Sequence, residues 1–126
     1  MSGRVVHFEV PFDDGDRARK FYKENFDWQL QEMPEMSYTM VSTGPMGDQG
    51  PTEPGYINGG MLKRNDSTSG VPVIVIDVDS IDSTLIKIEE TGGSVVVPKQ
   101  PVGPMGFTAY FTDPEGNVVG LWETAR

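Results

Sequence analysis

The chain contains no cysteine and a single histidine among its 126 residues, so disulfides and thiolate chemistry are excluded and any imidazole chemistry rests on His7. Cations are scarce as well: 10 Lys and Arg stand against 19 Asp and Glu, a formal charge of −9. That balance leaves no basic field for a phosphate backbone, which argues against a nucleic-acid partner. The one local positive cluster, Arg17, Arg19, Lys20 and Lys23, alternates with acids and reads as a solvated helix face without assigned function. No run of about 18 apolar residues exists, and the N-terminus lacks an apolar signal core. A soluble cytoplasmic protein without a membrane partner is therefore expected. What is present is 37% hydrophobic content, enough to give a single domain of this length a core.

Alternation of apolar and polar residues from Val5 to Pro11 predicts a strand with Val6, Phe8 and Val10 on one face and His7, Glu9 and Pro11 on the other. Asp13, Asp14 and Asp16 offer capping carboxylates before Ala18, Phe21, Tyr22 and Phe26, whose spacing predicts a helix covering the Val6, Phe8 and Val10 face. Strands are predicted over 28–33, 37–43 and 56–63, with a mobile Gly/Pro-rich connection from Gly44 to Gly55. A linker at 65–70 follows, and the pattern restarts: strand 71–78, helix 81–91 stopped by Gly92-Gly93, then strands 94–98, 106–112 and 118–124. The fold class is α+β, with two βαβββ modules at about 4–64 and 71–125. Laying Val10–Asp14 over Ile76–Ser80 places His7 on Val73, and laying Gly55–Gly59 over Gly116–Gly120 places Gly59 on Gly120.

With these residues in hand, the whole chain resembles the vicinal oxygen chelate superfamily, the glyoxalase, bleomycin-resistance and extradiol-dioxygenase-like proteins. The resemblance is carried by Val6–Pro11 leading to Ala18–Tyr22, by Val78–Asp82, by Gly92-Gly93, and above all by Phe111-Thr112-Asp113-Pro114-Glu115-Gly116-Asn117 before a closing strand. It implies two modules whose mixed sheets curl into a cup, with helices packed outside. It also implies four ligand positions in the metal enzymes, on the first and last strand of each module. Here those positions hold His7, Gly59 or Gly60, Val73 and Gly120, of which only His7 carries a donor atom.

A divalent transition metal needs about three protein ligands with N, O or S donors. Glu9 shares the face of His7, and Glu123 lies near the last ligand position, but it stands an odd number of residues from Gly120 and points to the opposite face unless the strand slips by one. No catalytic metal or other cofactor is therefore expected, a displaced site using His7 and Glu123 being the alternative. His7 is read first as a pocket-lining residue, with general-base work by His7 and Glu9 as the sharper reading, while a solvated acid is the plainer one for Glu9. Tyr56, Met61, Tyr110 and Trp122 complete the candidate ligand-binding set, each weighed against ordinary core packing.

These features suit a small-molecule-binding protein of the bleomycin-resistance kind, without a catalytic metal and forming a homodimer. The rival reading is a metal-dependent lyase or dioxygenase, similar to lactoylglutathione lyase, using His7 with displaced carboxylates. A third is a structural role with the cup filled by its own side chains.

Overall fold

A computed structural model describes residues 3–65 and 70–126. The linker expected at 65–70 lies largely outside the described residues. Two compact units are present, one formed by His7–Asn65 with Gly70–Pro72, the other by Val73–Arg126 joined by the start of the chain through Val6. Each has the βαβββ order that the sequence predicts, within the α+β class.

In the first unit, β1 (Val5–Phe12) is followed by α1 (Gly15–Phe26), β2 (Gln29–Met33), β3 (Tyr38–Ser42), a short hairpin of β4 (Met46–Gly47) and β5 (Gly50–Pro51), and β6 (Asn58–Lys63). The strands run in the order β2, β3, β6, β1, with β1 parallel to β6 and the other pairs antiparallel. The Asp14 side chain accepts from the Arg17 amide, fixing the helix start. Phe8 meets Trp28, whose ring stacks on Tyr22 at 4.6 Å and 5°, so this face of β1 lies under the helix as its alternation requires.

The cover is thinner than expected. No residue of α1 is buried, Val6 is exposed, and Phe21 and Phe26 are 54% and 60% exposed. A twelve-residue helix with two aromatics flanking its contact ring reaches the sheet through Tyr22 rather than through a continuous stripe. One further expectation fails locally. Arg19 is not on a solvated face: its guanidinium donates to buried Thr39 and Asp16, pairs with Glu32 at 3.4 Å and lies over Phe12. The 44–55 segment lies mostly at the surface and carries the β4–β5 hairpin, and Thr43 just before it is tied to β6 by its amide donating to Asn58.

In the second unit, β7 (Val73–Asp77), α2 (Ile81–Glu90), β8 (Ser94–Val102), β9 (Gly106–Thr112) and β10 (Val118–Thr124) follow in turn, with strand order β7, β10, β9, β8. The Asp77 amide donates to the Arg4 carbonyl at 2.9 Å, which joins the chain's first residues to this unit. Ile81 and Leu85 of α2 pack on Ala109 and Leu121 to form the buried core. The turn at 113–117 is held by Asp113, which accepts from the amides of Glu115 and Asn117 and from the Asn117 side chain at 2.9–3.0 Å. These bonds stabilise the ionised form and lower the Asp113 pKa, the Asn117 side chain contributing most.

Candidate functional site

Register decides which side chains share a face. In the first unit β1 and β6 pair Phe8 with Gly59, Glu9 with Gly60 and Val10 with Met61. Since Phe8 lies on the helix side, Gly59 and Met61 do as well, and His7, Glu9 and Gly60 occupy the opposite face. Tyr38, two positions from Met40 opposite Gly60, joins them from β3. In the second unit β7 and β10 pair Val75 with Gly120. Gly60, which pairs with Glu9 in the first unit, is therefore the counterpart of Gly120.

The vacant Cα of Gly60 has a definite use. A Cβ built there would fall 1.8 Å from the Tyr38 hydroxyl and 2.0 Å from its ring, so only glycine lets the phenol lie across the strand. From that position Tyr38 Oη stands 2.8 Å from His7 Nε2 and donates to Glu9 Oε2 at 2.9 Å. The three side chains form one polar chain on the non-helix face, and Glu9 is only 8% exposed. The reading of Glu9 as a solvated acid is corrected: its carboxylate is withdrawn from water and accepts a phenolic proton. Burial holds the His7 pKa below its ordinary value of 6.5 by penalising the imidazolium, with the Glu9 charge opposing in part.

Chemically, the arrangement is a neutral imidazole oriented by a phenol that is itself oriented by a carboxylate. Such a chain can accept a hydrogen bond or a proton, and Glu9 would favour a transient imidazolium. It does not fit a divalent metal. Gly60, Val73 and Gly120 carry no donor, Tyr38 occupies both the space over Gly60 and the His7 Nε2 nitrogen, and the described residues contain no cluster of three or more His, Asp or Glu able to hold an ion.

The other predicted residues are dispersed. Met61 faces the helix side beside Val10 and Thr39 and is wholly buried, so it is a core residue and not a lining one. Tyr56 lies against Gly44, its hydroxyl donating to the Pro45 carbonyl. Tyr110 and Trp122 share the Gly120 face of the second unit, opposite the core residues Ala109 and Leu121, as the parity of β10 predicts. The Trp122 ring passes over Gly106, and its Nε1–H donates to Thr124 at 3.0 Å. Glu123 is on the helix side: Oε1 accepts from the Ile81 amide at 2.8 Å and Oε2 meets Lys99 at 3.3 Å. The amide bond above all, then Lys99, lowers its pKa. Tyr38 is the residue that sequence reasoning missed.

An open groove of about 310 Å³ also borders the end of β1 and the start of α1, lined by Phe12, Arg17, Phe21 and Arg64 among others. It shares no residue with the His7 chain, and its Arg64 is paired with Asp13 at 3.2 Å.

Comparison with known proteins agrees with this architecture. Residues 4–44 match the family model described as bleomycin resistance protein-like N-terminal. CFP32 of Mycobacterium bovis, which carries a glyoxylase name, is 30% identical over 122 residues, covering 90% of this chain and 42% of its own length. A glyoxylase-like domain-containing protein of Didymella fabae is 28% identical, covering 93% of this chain and 91% of its own. Together these likenesses point to the vicinal oxygen chelate superfamily. It spans about two-fifths of the length of its mycobacterial relative. Among solved structures, Streptomyces coelicolor methylmalonyl-CoA epimerase with 2-nitronate-propionyl-CoA superposes with a TM-score of 0.67 at 18% identity over both full chains. A Bacillus halodurans protein gives 0.65 at 14%, covering 100% of this chain and 97% of that one. At these identities the superpositions establish a shared fold. Among the described residues, no helix is long and apolar enough to cross a membrane.

Proposed function

We propose that this member of the glyoxalase and bleomycin-resistance superfamily binds a small molecule on the sheet face that carries His7, Glu9 and Tyr38, without a catalytic metal. The observation that carries the reading is the half-buried His7–Tyr38–Glu9 chain laid across Gly60. A divalent metal would need about three donors, and here His7 is joined by a glycine at the β6 position and by no cluster of ligands among the described residues. Tyr110 and Trp122 supply polarizable area on the corresponding face of the second unit. The reading includes a cytoplasmic location and a homodimer, the latter supported by the exposed Phe21 and Phe26. The charge of −9 favours neutral or cationic ligands, and bleomycin, a large basic molecule, is one candidate.

Metal analysis of protein purified without chelator, run beside turnover assays, separates this reading from the lyase or dioxygenase alternative. The expected result is no stoichiometric transition metal, no turnover of a glutathione hemithioacetal or catechol, and saturable calorimetric binding of metal-free bleomycin. Stoichiometric Ni, Zn, Fe or Mn accompanied by turnover overturns it, and no bleomycin binding at millimolar concentration removes bleomycin as the ligand.

A further inference from the structure

The proton positions in the His7 chain follow from counting donors. An ionised carboxylate can only accept, so the single Tyr38 hydroxyl proton goes to Glu9 Oε2, which stands 2.9 Å away. Tyr38 Oη then has only lone pairs to offer to His7 Nε2 at 2.8 Å, and that nitrogen must be the N–H donor. A neutral imidazole with its proton on Nε2 has a bare lone pair on Nδ1. No hydrogen bond joins Nδ1 to any described residue. Nor do the described residues include a buried, unpartnered side-chain nitrogen or oxygen outside the exposed class. Nδ1 is therefore not sealed off from water, and its lone pair is the one polar position of the ring without a bond among the described residues.

We propose that Tyr38 and Glu9 are positioning residues that hold His7 as the Nε2–H tautomer, and that the site selects molecules presenting an O–H or N–H donor to His7 Nδ1. The ligand-selection half rests on the binding reading above; the tautomer half belongs to the protein alone. Without the Tyr38 oxygen the two neutral tautomers of an imidazole are close in energy and both are populated, which costs a donor-bearing ligand part of its binding. An anion meets the opposite arrangement, a lone pair backed by a buried carboxylate, and is disfavoured.

Because His7 is the chain's sole histidine, its ring nitrogens give unambiguous resonances in ¹⁵N NMR of the uniformly labelled protein. At pH 8 the expected spectrum of the ligand-free protein has Nδ1 wholly in the unprotonated range and Nε2 in the protonated range. Protonated Nδ1 overturns the proposal. Tyr38→Phe keeps the ring over Gly60 and removes the oxygen, and it should give averaged resonances of mixed tautomers; an unchanged spectrum overturns the positioning role. Should that variant be unstable, Glu9→Gln reads the same quantity, since an amide that can donate to Tyr38 frees the phenolic proton for His7. Selection is read with phenol and anisole, which share a ring and differ in the O–H. Phenol should shift Nδ1 toward the shielded side, with affinity about twofold weaker in Tyr38→Phe, as roughly halving the competent tautomer requires. Equal response to anisole, or no response to either probe, overturns the ligand-selection half, whereas stoichiometric metal with turnover while Nδ1 stays unprotonated in the ligand-free protein overturns the earlier reading, and the ligand-selection half with it, and leaves the tautomer half standing.

Discussion

Adjacent glycines on β6 serve opposite purposes, and substitution should reveal it. At Gly60 an added methyl meets the far end of the Tyr38 side chain, which can swing away. At Gly59 it meets the Phe8 carbonyl at 2.4 Å and the Phe8 ring at 2.7 Å, and the backbone cannot yield without disturbing the β1–β6 ladder. Gly59→Ala should therefore cost about 3 kcal/mol or more in urea unfolding, and Gly60→Ala about 1–2 kcal/mol. Gly60→Ala should nonetheless mix the His7 tautomers as Tyr38→Phe does. The pH dependence at His7 has a definite sign. Its folded pKa lies below 6.5 because burial opposes the imidazolium, against the pull of Glu9, so the unfolded chain binds the proton first. The neutral ring's contribution is complete above pH 6.5 and is lost as the pH falls from there toward the lower folded value. Comparing wild type with His7→Asn from pH 8 to 5 isolates this contribution: the difference in unfolding free energy should shrink on acidification and level off below the folded pKa.

At the scale of elements, legibility depended on whether the signal was local. The βαβββ order, the α2 boundaries, the Asp113 turn and the face of Glu123 were all readable, because periodicity, caps and strand parity lie within a few residues of sequence. Tyr38 was not, since its meeting with His7 spans 31 positions and depends on the β3–β6 and β1–β6 registers. Met61 failed for the same reason: its face follows from pairing with Val10, which composition does not reveal. The one available hint was a glycine in a strand, which implies close approach by another group without naming it. Glu123 shows the opposite case, a residue offered as a metal ligand whose parity already pointed to the helix. It ties β10 to the N-terminus of α2 through the Ile81 amide, where a carboxylate also faces the positive end of the helix. Glu123→Ala should lower stability by about 1–2 kcal/mol, as loss of a helix-capping acceptor does. Its depressed pKa gives stability that is full above the unfolded value of 4.5 and lost as pH falls through the lower folded value, so wild type and variant should converge in acid. Glu123→Gln should recover part of the loss at neutral pH by keeping an acceptor.

At the scale of the whole molecule, the outward side of α1 is what its own fold leaves incomplete. Phe21 makes an edge contact with Tyr22 at 5.2 Å and Phe26 lies 6.2 Å from the same ring, yet more than half of each side chain remains in water. Full burial of a phenylalanine gives about 1.5–3 kcal/mol, so two such rings on each of two copies supply a useful part of an association free energy. The copies carry the same strong negative charge, and raising salt should strengthen pairing by screening their repulsion. Light scattering on the wild-type chain should give twice the monomer mass at micromolar concentration, more completely at 0.5 M than at 0.05 M NaCl. The double substitution Phe21→Ser with Phe26→Ser should give the monomer mass at both salts while lowering the unfolding midpoint of dilute protein only modestly, because Phe26 lies 6.1 Å from Trp28 but the Tyr22 stack on that ring remains. A wild-type chain that scatters as a monomer throughout would remove the homodimer from the proposed function. A double variant that stays dimeric would move the interface away from α1.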